Sequence, residues 1–219
     1  KMCELSKECD FVLVSESAYY NLGLIKKIKK LYPQKKVYYY ILPQVWAWKK
    51  WRAKNVDRFS DRVFATIPFE LEYYNKAEYV GHPLLDIVPS IASMEGEKTA
   101  FLPGSRVSEI GALMPIFRDV AKRLGKKSVV IIPPYLRGKE REIYGDLSGF
   151  ELAYSMKEGL EGVSFAYVCS GSATLEVALY GIPLVLAYKA KKLDFLIVRS
   201  LVKLEFVGLA NIFCQKAGL

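Results

Sequence analysis

Short apolar runs alternate along the chain with longer segments in which hydrophobic residues recur every three to four positions. The short runs, rich in Val, Ile, Phe and Tyr, are typical of buried strands, and the longer spacing indicates amphipathic helices. The predicted strands are 10–15, 36–42, 62–67, 78–80, 99–102, 128–132, 150–154, 163–168 and 184–188. The predicted helices are 19–31, 69–75, 108–124, 173–180 and 193–204. This alternation predicts an α/β protein with mostly parallel sheets.

A segment without periodicity, 86–98, separates these elements into two groups. It contains Pro89 and Gly96 among serines, a composition that interrupts helices and strands as a linker does. The length of 219 residues allows two small α/β domains, each with its own core. We therefore expect one domain at 1–88 and a second at 97–219.

One strand-to-helix junction has the composition of an anion pocket. An apolar strand pattern ends at Ser170, Gly171 and Ser172, and a helix pattern begins at Ala173. Small residues let the backbone approach a ligand, and the free N–H groups of a helix start can hold a diphosphate. Glu176, one turn further, could accept hydrogen bonds from ribose hydroxyls. The alternative is that Ser172 only caps the helix and Glu176 only complements its dipole, although a capping box would place the acid at position 175.

A second junction, between the strand at 99–102 and the helix at 108–124, carries Ser105 and Arg106. The planar guanidinium of arginine donates to two diphosphate oxygens at once. A loop arginine can equally be a solvated surface charge. Two such junctions in one half of the chain favour nucleotide binding, in an arrangement that needs no metal or other cofactor.

The net charge of +9 and the sequence pI near 9.2 suit a polyanionic partner or surface. One cluster of positive charge contains Lys26, Lys27, Lys29, Lys30, Lys35 and Lys36. A second mixes cations with indoles and contains Trp46, Trp48, Lys49, Lys50, Trp51, Arg52 and Lys54. Indoles beside cations suit an anionic lipid interface, which the segment 189–203 could extend. The alternatives are solvated helix faces, tryptophans in the core, or nucleic acid, although no nucleic-acid-binding motif accompanies the charge.

Cysteine usage and hydropathy narrow the class of protein. Cys3, Cys9, Cys169 and Cys214 form no CxxC pair and have no histidine-rich surroundings, which argues against a disulfide scaffold or a zinc site and fits a reducing cytoplasm. No apolar run approaches the roughly eighteen residues of a spanning helix. No signal peptide is visible from Lys1 onward, and a truncated start would hide one.

Four short motifs together resemble the signatures of the lipid-A-disaccharide synthase family, and they occur in the family's order. They are Pro43-Gln44-Val45-Trp46-Ala47-Trp48, Val80-Gly81-His82-Pro83, Leu102-Pro103-Gly104-Ser105-Arg106 and Ser170-Gly171-Ser172-Ala173-Thr174-Leu175-Glu176. The resemblance implies the GT-B fold, with two Rossmann-like domains facing across a cleft and the nucleotide held mainly by the C-terminal one. It also implies an inverting glycosyltransferase of Gram-negative lipid A biosynthesis.

The implied reaction joins UDP-2,3-diacylglucosamine to 2,3-diacylglucosamine 1-phosphate and releases UDP. The implied location is the cytoplasmic face of the inner membrane, and a homodimer is left open. Family members begin with a motif of the type Ala-Gly-Glu-x-Ser-Gly-Asp, which does not precede Lys1, and they continue beyond Leu219. We therefore expect both domains to lack terminal segments here.

The resemblance also suggests residues for catalysis and ligand contact. The family pattern Gly-Ile-Asp-Ala-Pro-Asp-Phe-Asn corresponds to 14–21 here, so Glu16 replaces the expected aspartate and is the candidate general base. Its alternative role is to complement the dipole of the next helix. His82 is expected to hold a turn by hydrogen bonds, with catalysis as the alternative. Asn211, Asn21 and Gln44 are further candidate ligand contacts.

Two other classes of protein compete with this interpretation. One is a non-catalytic nucleotide-sugar-binding fragment that keeps the pocket without turnover, and the other is a basic nucleic-acid-binding protein. Within the same fold, a UDP-sugar epimerase would share the nucleotide half. The tryptophan motif at 43–48 argues against the epimerase.

Overall fold

The computed structural model describes residues 1–47, 49–88, 96–189 and 208–217. These residues form two compact units, one built from 1–47 and 49–85 and the other from 86–88, 96–189 and 208–217. Each unit contains an open sheet whose strands are all parallel. The α/β class predicted from the alternating pattern is therefore confirmed.

The first unit is a 4-stranded sheet of order β1-β2-β3-β4. Its strands are β1 (Phe11–Ser15), β2 (Lys36–Tyr40), β3 (Arg62–Ala65) and β4 (Ala77–Tyr79). Its helices are α1 (Met2–Glu8), α2 (Ala18–Leu31), α3 (Trp51–Phe59) and the 3₁₀ helix Pro68–Glu72, and α4 (Leu84–Ile87) follows. The core joins the inner face of the sheet to α2 and α3 through Val37, Tyr39, Ile25 and Val56, which are all fully buried.

The second unit is a 5-stranded sheet of order β7-β6-β5-β8-β9. Its strands are β5 (Lys98–Leu102), β6 (Ser128–Ile131), β7 (Phe150–Ala153), β8 (Val163–Cys169) and β9 (Leu184–Ala187). Its helices are α5 (Val107–Leu124), α6 (Glu140–Tyr144), α7 (Met156–Leu160), α8 (Ser172–Leu179) and α9 (Leu209–Ala217). The chain builds outward from β5 to one side and then crosses back to β8 on the other. Ligands of such sheets bind at this switch point, beyond the carboxyl ends of the strands.

Every strand predicted from the sequence is present, with ends that differ by at most two residues. The predicted helices at 19–31, 108–124 and 173–180 are confirmed, and Gly125, in the left-handed conformation, ends α5 as expected. The helix predicted at 69–75 is wrong. That segment forms the 3₁₀ helix Pro68–Glu72, in which the buried Glu70 carboxylate accepts a hydrogen bond from the N–H of Ile67 and tightens the turn.

Helices α3, α4, α6, α7 and α9 were not predicted; each has nine residues or fewer and completes few turns. Helix α8 is equally short, with eight residues, but the strand-to-helix junction before it made it recognisable. The predicted helix at 193–204 lies outside the described residues, as does Trp48. The predicted linker includes 89–95, also outside them, so its bounds stay a prediction.

Candidate functional site

A pocket of about 360 Å³ lies at the carboxyl edge of the second sheet. Its wall is formed by the segments that follow β5, β6, β7 and β8, which surround the switch point of the sheet. The residues that the sequence analysis assigned to a nucleotide and that line this wall are Ser105, Arg106, Ser170, Gly171, Ser172 and Ala173. Two motifs separated by more than sixty positions in the sequence therefore meet in one cavity.

The start of α8 borders this pocket with main-chain N–H groups. Gly171 is the residue before the helix, with φ at 154°, and Ser172 is the first helical residue. The alternative in which Ser172 caps the helix is wrong, because Gly171 occupies the cap position and has no side chain to offer. The first turn of α8 thus presents N–H groups and the positive end of the helix dipole to the pocket.

Arg106 precedes α5 and is part of the pocket wall, with its side chain 78% exposed. Its Nη1 is 2.5 Å from Oε1 of Glu109, one turn into the helix. This hydrogen bond raises the pKa of the Arg106 guanidinium further above its usual value, so the group is always charged. Glu109 therefore orients the cation at the pocket mouth while leaving it accessible.

Burial raises the pKa of two further groups in or near the pocket. Cys169 ends β8 and lines the pocket floor, where burial raises the pKa of its thiol to about 11, so it stays a neutral thiol near pH 7. Glu176 is half-buried in α8, one turn beyond Ser172, and burial raises the pKa of its carboxyl. Glu176 is not part of the pocket wall, and its predicted contact with ribose stays a prediction.

Two segments of the wall were not predicted from the sequence, 131–134 after β6 and 154–156 after β7. The ring of Tyr154 has the Arg137 guanidinium 4.1 Å from its centroid, and its hydroxyl donates to Oε1 of Glu140 at 2.7 Å. These contacts fix the ring at the pocket side. The strand-end rule for parallel sheets, applied to β6 and β7 as well, would have indicated both segments.

The candidate catalytic and ligand-binding residues of the first unit lie near the carboxyl edge of its own sheet. Glu16 directly follows β1 and is exposed, with φ at 51°. Asn21 is buried, and its Nδ2 donates to the main-chain oxygens of Ser15 at 2.8 Å and Glu16 at 3.1 Å. Gln44 is exposed in the loop after β2. The roles of Glu16, Asn21 and Gln44 toward a substrate stay predictions.

The indoles and cations at 46–54 do not share one environment. Trp46 is half-buried and packs edge-on against Phe69, with ring centroids 5.6 Å apart. Trp51 is 57% exposed at the start of α3, and the Arg52 guanidinium lies 5.8 Å from its ring centroid. Lys49, Lys50 and Lys54 are exposed. Of the two described indoles, Trp51 is the one available to a surface.

His82 and Asn211 occupy helix starts. The Nδ1 of His82 accepts a hydrogen bond from the N–H of Leu84 at 3.2 Å, as expected of a residue that holds a turn, and burial lowers the pKa of the imidazole. Asn211 is exposed in the first turn of α9, which packs against α8, and it is not part of the pocket wall. Its contact with a ligand stays a prediction.

The described ranges hold neither a cluster of metal-ligating side chains nor a helix suited to crossing a membrane. Among residues 1–47, 49–88, 96–189 and 208–217, no group of three or more His, Cys, Asp or Glu side chains is arranged to hold a metal ion. In the same ranges, no helix has the length and apolarity that a membrane crossing requires.

Comparison with known proteins identifies relatives along almost the whole chain. Residues 1–218 match the family model described as lipid-A-disaccharide synthetase. The lipid-A-disaccharide synthase of Helicobacter pylori strain G27 is 49% identical over 222 residues, covering 97% of this chain and 62% of the relative. That of Campylobacter jejuni strain RM1221 is 43% identical over 225 residues, covering 98% of this chain and 62% of the relative. The chain thus spans 62% of the length of these relatives.

Two solved structures share the fold. MurG of Acinetobacter baumannii superimposes with a TM-score of 0.55 at 14% identity, covering 90% of this chain and 58% of MurG. MnaA of S. aureus, solved with UDP, superimposes with a TM-score of 0.56 at 13% identity, covering 99% of this chain and 66% of MnaA. At such identities the likeness concerns the fold alone, and it confirms the predicted GT-B class.

Proposed function

The chain belongs to the lipid-A-disaccharide synthase family, and from that premise we propose that it acts in joining UDP-2,3-diacylglucosamine to 2,3-diacylglucosamine 1-phosphate with release of UDP. The observation that carries the proposal is the pocket where Arg106 and the start of α8 converge at the switch point of the second sheet. The family match over residues 1–218 leaves the alternative of a nucleic-acid-binding protein without support.

In the proposed complex the diphosphate of UDP lies between Arg106 and the turn 170–172. The guanidinium and the N–H groups of α8 supply the positive charge that stabilises UDP as it leaves. The uracil ring of UDP lies toward Pro133, Pro134 and Tyr154, where the wall is largely apolar. The ribose lies toward Glu176. Isothermal titration calorimetry with UDP tests this placement, and the assay of disaccharide formation tests the reaction.

We expect Gly171→Ala to weaken UDP binding roughly tenfold. A methyl group at this position would meet no protein atom within 4 Å, so it would occupy open space in the pocket wall where the diphosphate is placed. It would also strain the backbone, whose φ of 154° suits glycine. Calorimetry measures the affinity, and thermal unfolding measures the strain.

Gly149→Ala is the matched control for that variant. Gly149 also has a positive φ, 89°, with no atom within 4 Å of an added methyl, but it precedes β7 at the amino edge of the sheet. Its substitution should lower stability and leave UDP affinity unchanged. If both variants lost UDP affinity equally, the cause would be backbone strain and Gly171 would have no direct role at the ligand.

For location, we propose that the surface formed by Trp51, Lys49, Lys50 and Lys54 docks on the anionic inner face of the inner membrane. Both proposed substrates carry acyl chains, so a position at the bilayer brings the enzyme to them. Each lysine near an anionic bilayer contributes about 1 kcal/mol, and an exposed indole rests at headgroup level. Arg52 is half-buried beside Trp51 and contributes less directly.

Replacing Lys49, Lys50 and Lys54 together by glutamine should therefore weaken binding to anionic vesicles by about a hundredfold at low salt. Flotation with phosphatidylglycerol-containing vesicles measures this effect. The control replaces Lys122, Lys126 and Lys127, exposed lysines of the second unit, and removes the same charge. Equal losses in the two triple variants would show a general effect of net charge, and undiminished flotation of the first would exclude this surface as the anchor.

A further inference from the structure

The loop that carries Glu16 has an unusual backbone. Glu16 and Ser17 have φ of 51° and 22°, and Ile41, at the end of the neighbouring strand, has φ of 54°. Residues with a side chain rarely adopt these left-handed angles, and they keep them only where surrounding contacts hold the backbone in place. Such strain is concentrated at functional sites.

Two buried side chains supply those contacts. The hydroxyl of Tyr39, whose side chain is 0% exposed, donates to the main-chain oxygen of Glu16 at 2.6 Å. The amide of Asn21 donates to the same oxygen at 3.1 Å and to that of Ser15 at 2.8 Å. The N–H of Glu16 in turn donates to the oxygen of Ile41 at 3.1 Å. The peptide groups around Glu16 are thus held from both sides.

Tyr39 is a rigid support for this loop. It lies on β2, directly paired with Val14 of β1, and its ring is part of the core of the first unit. Burial raises the pKa of its hydroxyl to about 12, so at neutral pH the group always carries the proton that it donates. A phenylalanine would fill the same core space, so the hydroxyl serves the contact with Glu16 and not the packing.

We propose that Tyr39, together with Asn21, is a positioning residue that holds the Glu16 carboxylate in the orientation needed for proton abstraction. This rests on the proposed role of Glu16 as general base. Without the hydroxyl, the Glu16 peptide is released from its strongest contact and the strained loop can relax toward ordinary angles. The exposed carboxylate then samples several positions, and a displacement of about 1 Å at a reacting group can cost on the order of a hundredfold in rate.

Tyr39→Phe in the full-length protein should lower kcat roughly 10- to 100-fold and leave KM and UDP affinity nearly unchanged. Tyr74→Phe is the matched control. Tyr74 is also buried, at 3% exposed, and its hydroxyl donates at 2.6 Å to the main-chain oxygen of Pro43, two residues beyond Ile41, and not to Glu16. The two variants should lose similar stability, whereas only Tyr39→Phe should lose kcat. Equal losses of kcat would overturn the proposal.

A double-mutant cycle separates positioning from a general structural effect. If Tyr39 acts through Glu16, then Tyr39→Phe should cost no further activity in a Glu16→Gln background. Losses that multiply would overturn the proposal. If Glu16→Gln had a low kcat and Tyr39→Phe had a normal one, the assignment of Glu16 as general base would stand. Only the positioning role of Tyr39 would then be refuted. A normal Glu16→Gln variant would refute both.

Discussion

Replacing Glu16 by glutamine should lower kcat by about 10²- to 10⁴-fold in the full-length protein, the usual contribution of a general base. In the proposed reaction its carboxylate accepts the proton of the acceptor's primary hydroxyl as that oxygen attacks the anomeric carbon and UDP leaves. Glu16 is exposed directly after β1, at the sheet edge where parallel α/β proteins bind ligands. UDP affinity should stay nearly intact, because the residues assigned to UDP belong to the second unit.

Steady-state assays of UDP release measure kcat, and calorimetry with UDP measures the affinity for UDP. Glu16→Asp should retain or increase activity, because it restores the residue of the family pattern. Asp10→Asn is a matched control, since it removes one exposed carboxylate at the amino end of the same strand and should leave kcat unchanged. Near-normal kcat in the glutamine variant would end the assignment of Glu16 as base.

Arg106→Ala should weaken UDP binding by about 1.5 to 3 kcal/mol, the scale of a hydrogen bond to a charged group. The guanidinium is held at the pocket mouth by Glu109, 2.5 Å away, so little conformational freedom is lost when it engages the diphosphate. Arg106→Lys should recover only part of the affinity, because an ammonium cannot donate to two oxygens in the planar geometry of arginine. Calorimetry with UDP, with and without Mg²⁺, is the measurement.

Arg123→Ala is the matched control for this prediction. Arg123 lies in the last turn of α5, is also 78% exposed, and pairs with Asp119 on its own helix at 2.9 Å. It carries the same charge but lies at the other end of the helix, so its loss should leave UDP affinity unchanged. Unchanged affinity in Arg106→Ala would refute the placement of the diphosphate. Binding that requires Mg²⁺ would show that these groups alone do not supply the positive charge.

The sequence by itself was sufficient to predict the strands and the pocket-lining residues Arg106 and 170–173. The strands are short apolar runs, and the junctions at Arg106 and at 170–173 join a strand to a helix within a few residues. Both signals are local, because side-chain periodicity and the small residues of an anion-binding turn depend on neighbours a few positions away. Such local signals can be recognised in the sequence even when the rest of the fold is unknown.

The tertiary structure decided what depends on which strands are neighbours. The order β7-β6-β5-β8-β9 brings 131–134 and 154–156 into the pocket, and packing against Phe69 makes Trp46 half-buried while Trp51 stays exposed. The hydrogen bond from Tyr39 to Glu16 joins residues 23 positions apart on paired strands. No periodicity encodes such contacts, because they arise from strand register and side-chain packing, which are settled only when the whole sheet assembles.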